Sequence, residues 1–145
     1  NVSRLGLRPH VTAGAGGFVD ITARAKRIVF SGFFSAGAEL AVEGGRLRIR
    51  REGKARKLVP EVEHVTFSGP RAMMQGQDIT YVTERCVMRL TPNGVTVTEI
   101  APGIDLQRDV LAAAGFPLRV ADDVRVMEAR LFRPEPIGLA LKGRA

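Results

Sequence analysis

Apolar positions along the chain fall into short runs separated by glycine, proline, serine and asparagine, the pattern of a strand-rich domain. Val2 to Leu7 reads as a short strand or strand end, halted by Pro9. Thr12 to Gly17 is a glycine-rich turn. Phe18, Ile21 and Ala25 then recur at helical spacing, which predicts a short helix over 18–25 packed on a sheet. Ile28-Val29-Phe30, opened by Arg27 and closed by Ser31-Gly32, is a brief apolar run between turn signals and predicts a buried strand. Leu40 to Val42 and Arg46 to Arg50 flank Glu43-Gly44-Gly45. Glycine takes positive φ at little cost, so this is a hairpin signal.

Leu58 to Phe67 reads as extended, with His64 to Phe67 as its strand. Ser68-Gly69-Pro70 starts a short helix over Arg71 to Gln75, which Gly76 closes. Strands follow at Ile79 to Thr83 and Cys86 to Leu90. Thr91-Pro92-Asn93-Gly94 is the strongest turn and joins the second of these to Val95–Ile100 as an antiparallel pair. Asp105 caps a helix over Leu106 to Ala114, stopped by Gly115 with Pro117 beyond. A last strand at Leu118 to Val120 and a helical piece near Val124 to Ala129 precede a tail from Arg133 that reads as poorly ordered. The elements together predict an α/β or α+β domain, a mixed sheet with short helices.

Composition narrows the class. A chain of 145 residues with 45% hydrophobic content suits one domain with one packed core, and 16 glycines without a tryptophan agree with many turns. The single Cys86 excludes a disulfide framework and a cysteine-rich zinc site, and fits a reducing cytoplasm. The longest nearly apolar run, Ile28 to Ala38, is too short to span a bilayer, so no membrane partner is expected. The net charge of +7 invites a nucleic-acid reading, and much of it sits between Arg46 and Lys57. Arg46, Arg48 and Arg50 alternate with Leu47 and Ile49, however, so they share one outward strand face. A solvated edge face is the commoner meaning of that pattern. No interleaved aromatics, zinc ligands or recognition helix accompany it, and no nucleic-acid partner is expected.

Gly14-Ala15-Gly16-Gly17 leads the candidates for chemistry. A turn without Cβ atoms lets a ligand approach the backbone, leaves N–H groups to face a phosphate or oxyanion, and precedes a helix start with its positive potential. It is neither a Walker loop nor a dinucleotide fingerprint, because the lysine of one and the third glycine of the other are missing. His10 and His64 lack ligand-spaced partners, so no metal site is expected. Cys86 reads as a small buried side chain, and Met73 and Met74 as packing. Ser31 and Ser35 have no histidine–acid pair to activate them.

Several separated blocks carry a resemblance. Asn1-Val2-Ser3 through Gly14-Ala15-Gly16-Gly17-Phe18-Val19-Asp20-Ile21 resembles the Asn-Val-Ser and Gly-x-Gly-Gly-Phe segment of family I CoA-transferases, in particular the propionate, acetate and short-chain acyl types that fuse two halves in one chain. Arg27 to Ala36, Val65 to Gly69, Tyr81 to Val87, Glu99 to Leu106 and Met127 to Phe132 extend the likeness in the same order. The resemblance implies a CoA-transferase-like fold, with residues 1–132 the C-terminal portion of the β half and 133–145 a tail. It also implies ping-pong transfer of CoA between a short-chain acyl-CoA and a carboxylate through a glutamyl-CoA thioester, with coenzyme A as substrate and no permanent cofactor. By the same carry-over, Gly14, Ala15, Gly16, Gly17 and Phe18 belong to the loop that contacts CoA.

One departure matters. The family's nucleophilic glutamate lies in a segment that would precede Asn1, so no catalytic residue is expected in this chain, which alone should be inactive. Glu43-Gly44-Gly45 and Glu52-Gly53 imitate the glutamate–glycine pattern but come after the loop and read as hairpin residues, and Glu84 reads as half of an ion pair. The expected partners are the N-terminal remainder of the enzyme, in the same or a companion chain, and further copies in a homo-oligomer. The alternative is a non-enzymatic domain that binds CoA, a nucleotide or another anion.

Overall fold

The computed structural model describes residues 16–62 and 64–139. The expected strand at Val2–Leu7, and His10, Gly14 and Ala15, lie outside the described residues. The first helix, α1 (Phe18–Arg24), leads into β1 (Arg27–Ser31). A small lobe comes next: β2 (Ser35–Ala36), the hairpin strands β3 (Glu39–Glu43) and β4 (Arg46–Arg51), and β5 (Ala55–Arg56). Then come α2 (Gly69–Met74), β6 (Asp78–Val82), β7 (Cys86–Thr91) and β8 (Gly94–Ile100). A π-helical segment (Leu106–Leu111), β9 (Arg119–Val126) and a 3-10 turn (Ala129–Phe132) complete the order.

The main sheet has the order β1-β6-β7-β8-β9. Its two outer pairs, β1 with β6 and β8 with β9, are parallel, while the central pairs β6–β7 and β7–β8 are antiparallel. The sheet is therefore mixed, as the sequence predicts. Strand alternation sorts its side chains. Cys86, Met88 and Val97 face one core with Leu47 from the hairpin and Val110 from the π-helical segment, all buried. Ile28 and Ile79 face a second, smaller core under α1 and α2, closed by Phe67 and Ala72.

Local signals explain most boundaries. Ser68 caps α2 through the Arg71 N–H at 3.4 Å, and Asp105 caps the π-helical segment through the Arg108 N–H at 2.8 Å. Gly103 has φ +92°, and a Cβ there would lie 2.5 Å from the Leu47 carbonyl oxygen. Only glycine lets this turn reach the hairpin, whose Leu47 N–H donates to the Pro102 carbonyl at 2.7 Å.

Four expectations need correction. His64 to Phe67 is not a strand: His64 forms one isolated bridge, Val65 is exposed, and the chain turns at once into the α2 cap while Phe67 drops into the smaller core. Val124 to Val126 belongs to β9 and not to a helix, because parallel pairing with Glu99 and Ile100 and the Arg125–Glu99 ion pair at 2.9 Å hold it extended. The helix expected over Leu106 to Ala114 is wound wider over its first six residues, with the Ala112 N–H donating to the Gln107 carbonyl. Met74 is exposed instead of packed.

Candidate active site

The glycine turn sits where α1 begins. Gln77 Nε2 donates to the carbonyls of Thr22 (2.8 Å) and Ala25 (2.6 Å), which pins the end of α1 at the amino ends of β1 and β6. At the other end of the helix the Phe18 ring lies 6.0 Å from that of Phe30, near the finish of β1. α1 therefore runs antiparallel to β1, and Gly16-Gly17 lies toward the carboxyl ends of the parallel pair. Open α/β sheets bind ligands outside the carboxyl ends of parallel strands.

Gly16 has φ +52° with open space where a Cβ would point, and Gly17 starts the helix without a side-chain cap. Both are exposed. Phe18 does different work. Its ring joins an aromatic cluster in which Phe30 lies 5.3 Å from both Phe67 and Tyr81, so it anchors the helix start to the sheet. Burial pushes the Tyr81 hydroxyl above its ordinary range. Beyond β1, the Gly32 N–H donates to the Val82 carbonyl at 3.1 Å, Phe33 is exposed, and Lys57 Nζ stands 5.9 Å from its ring centre.

A second centre forms around Arg85, whose side chain is fully buried. Its guanidinium grips Glu52 with two bonds, Nη2 to Oε1 at 2.6 Å and Nη1 to Oε2 at 2.8 Å. Nε pairs with Glu84 Oε1 at 3.2 Å, and Nη1 also donates to the Asp109 carbonyl at 3.0 Å. The Phe34 ring lies 4.7 Å beneath the cation. Ser35 Oγ donates to Glu52 at 2.5 Å, and the Phe34 N–H donates to Glu84 Oε2 at 2.8 Å. Hydrogen bonding from Arg85 holds the Glu52 carboxyl down at about 2, against the opposing effect of partial burial.

The glutamates beside glycines are thus committed. Glu52 is occupied by Arg85 and Ser35, Glu43 pairs with Arg50 across the hairpin, and Glu84 is the ion-pair partner the sequence suggests. A carboxylate this acidic and this firmly held is a poor nucleophile. Reading Glu52 as a hairpin residue misses its partner. Its contacts reach 33 residues to Arg85, and no local periodicity reports such a distance. The basic face of β4 is exposed at Arg46, Arg48 and Arg50, as its alternation predicts, and Arg51 pairs with Glu39. Among the described residues no three His, Cys, Asp or Glu gather as a metal site, and no helix is long and apolar enough to cross a membrane. Cys86 is buried, with its thiol pushed up to about 11 by that burial.

The crystal structure of the acyl-CoA transferase YdiF from Escherichia coli O157:H7, in a thioester complex with CoA, superposes with a TM-score of 0.84 at 39% identity over 88% of this chain. The caffeate CoA-transferase of Acetobacterium woodii is 46% identical over 142 residues, 96% of this chain. The chain is a partial match to the family I CoA-transferases. It spans about a quarter of the CoA-transferases it matches: 25% of the YdiF chain, 27% of the Acetobacterium protein and 24% of the acetate CoA-transferase YdiF of E. coli K12, to which it is 40% identical over 129 residues. No family model matches the chain. The mixed five-stranded sheet with its short helices is the CoA-transferase fold of YdiF over that quarter.

Proposed function

We propose that this chain is the C-terminal portion of the β half of a CoA-transferase, contributing the glycine turn of an active site whose nucleophilic glutamate comes from another segment. One observation carries the reading: the superposition on an enzyme crystallised as a CoA thioester complex. The position of Gly16-Gly17, exposed at a helix start beside the carboxyl ends of two parallel strands, supports it.

In this reading a glutamate carboxylate attacks the acyl-CoA carbonyl, and the thiolate of CoA leaves as an acyl-glutamyl anhydride forms. The thiolate then attacks the glutamyl carbonyl, releasing the first carboxylate and leaving a glutamyl-CoA thioester. An incoming carboxylate takes up CoA by the reverse steps. Each attack places negative charge on a carbonyl oxygen, and main-chain N–H groups of the glycine turn are the donors that stabilise it. Glu52 and Glu84 hold the scaffold and take no part in the chemistry.

Intact-mass analysis tests this. The chain incubated with acetyl-CoA should carry no CoA adduct. A chimera in which it replaces the matched segment of E. coli YdiF should gain one glutamyl-CoA adduct. An adduct on Glu43, Glu52 or Glu84 of the chain alone overturns the assignment, and so does a folded chimera that never forms one.

A further inference from the structure

We propose that Glu84 is a positioning residue of the CoA-transfer site: its carboxylate, oriented by Arg85, fixes the main chain of Gly32–Ser35 so that Phe33 is presented to the CoA part of the acyl-CoA. The inference rests on the function proposed above.

Ser31 and Val82 close the β1–β6 register, and the Gly32 N–H donates to the Val82 carbonyl at 3.1 Å. The segment that follows leaves the sheet at the carboxyl ends of its parallel pair, the end toward which Gly16-Gly17 lies. Its holds come from far along the chain. The Phe34 N–H donates to Glu84 Oε2 at 2.8 Å, and the buried Phe34 ring lies 4.7 Å from the Arg85 cation. Ser35 Oγ accepts from Arg85 Nη2 and from the Gly53 N–H, both at 3.3 Å. Gly53 permits that approach because it has no side chain: a Cβ there would lie 2.5 Å from the same oxygen.

Glu84 suits the task because a carboxylate has two equivalent acceptors. Oε2 takes the Phe34 main chain while Oε1 takes Arg85 Nε at 3.2 Å. An amide offers one acceptor oxygen, so it would satisfy one donor and turn its own NH2 toward the other. The turn that carries Glu84 is itself fixed, since Thr83 Oγ1 accepts from the N–H groups of Arg85 (3.2 Å) and Cys86 (3.1 Å). Desolvation of the buried guanidinium offsets much of what its ion pairs gain, and apolar packing would hold the lobe as well. Directed bonds add what packing does not: each sets the place of one main-chain or hydroxyl group.

Phe33 stands between the anchored Gly32 and Phe34, 61% exposed. Lys57 Nζ lies 5.9 Å from its ring centre and 3.9 Å from where a Gly32 Cβ would stand. An aromatic ring beside an ammonium matches CoA, whose adenine offers a stacking face and whose phosphates offer negative charge.

Half-reaction kinetics of the YdiF chimera test the proposal. For acetyl-CoA, kcat/KM starts from free enzyme and includes every contact to CoA. For the accepting carboxylate it starts from the glutamyl-CoA enzyme, where those contacts already exist. Glu84→Gln should therefore lower the first at least about tenfold and the second by less than about twofold. Phe33→Ala, at an exposed position, should show the same asymmetry, and it decides the matter if Glu84→Gln does not fold. In the isolated chain, Glu84→Gln should speed exchange of the Phe34 amide at least about tenfold. A merely structural residue lowers both kinetic quantities equally, through fewer folded molecules, and that result overturns the proposal. So do unchanged kinetics in Phe33→Ala or unchanged Phe34 exchange. A wild-type chimera that forms no glutamyl-CoA adduct removes the transferase reading and this proposal with it, whereas equal losses in an adduct-forming chimera remove the positioning role alone.

Discussion

The Arg85 centre and the glycine-turn end of the sheet lie in one domain but are finished to different degrees. Around Arg85 every charge has a partner, and the cation is enclosed by Phe34, Glu52, Glu84 and the Asp109 carbonyl. At the other end, among the described residues, Val19, Ile21, Val29 and Phe33 are exposed beside a helix start without a side-chain cap and a strand paired with β6 alone. A region that satisfies itself is a scaffold. A region whose apolar side chains stand exposed among the described residues leaves room for a further segment to pack there.

Substitutions in the two regions should therefore fail in different ways. Gly16→Val forces a branched side chain to φ +52° in the turn. It should lower CoA transfer by the chimera roughly 10²-fold or more while costing the isolated chain only about 1–2 kcal/mol. A rate loss matched by loss of folded protein would remove the turn from the site. Arg85→Ala should do the opposite, costing about 3–5 kcal/mol in urea unfolding because Glu84 and Ser35 lose a buried partner. A cost below about 1 kcal/mol would mean that the centre is not what holds this lobe.

Glu52→Gln sharpens the same contrast through pH. The folded pKa of Glu52 is depressed to about 2, so its stabilisation is full above the ordinary glutamate range near 4.3 and is lost as pH falls toward 2. Asp78 and Asp109 are lowered as well, by Arg89 and Arg108 respectively, so the difference between wild type and variant is the informative quantity. That difference should be about 1 kcal/mol near neutrality, since Glu52 is 51% exposed and screened by water, and should vanish near pH 2. A difference that persists at pH 2 would contradict the charge argument. Smallest of all, Glu43→Ala on the solvated hairpin should change stability by no more than about 0.5 kcal/mol. A larger change in thermal unfolding would give that face a structural role.

Much of this architecture is legible in the sequence because it is local. The hairpin around Gly44-Gly45, the Thr91–Gly94 turn and the Asp105 cap each declare themselves within a few residues. The two-residue strands β2 and β5 are too short to show a period, and β9 looks helical near Val124 because its extended form depends on pairing with β8. The glycine turn is legible from its missing side chains together with the family resemblance. Its orientation depends on Phe18 meeting Phe30 and on Gln77 reaching Thr22, contacts that only the folded chain brings together. The Arg85 centre gathers Ser35, Glu52 and Asp109 from far along the chain, and no motif announces it.

The wide winding of Leu106–Leu111 makes the length of that segment a specification in itself. Its Ala112-to-Gln107 bond spans five residues, and the same stretch offers the Asp109 carbonyl to Arg85 and drives Val110 into the interior. Deleting a single amino acid there would restore ordinary winding and shift the Asp109 carbonyl and Val110 off their present bearings. A tightly counted stretch of this kind tolerates exchange of its outward side chains far better than any change in how many residues it contains.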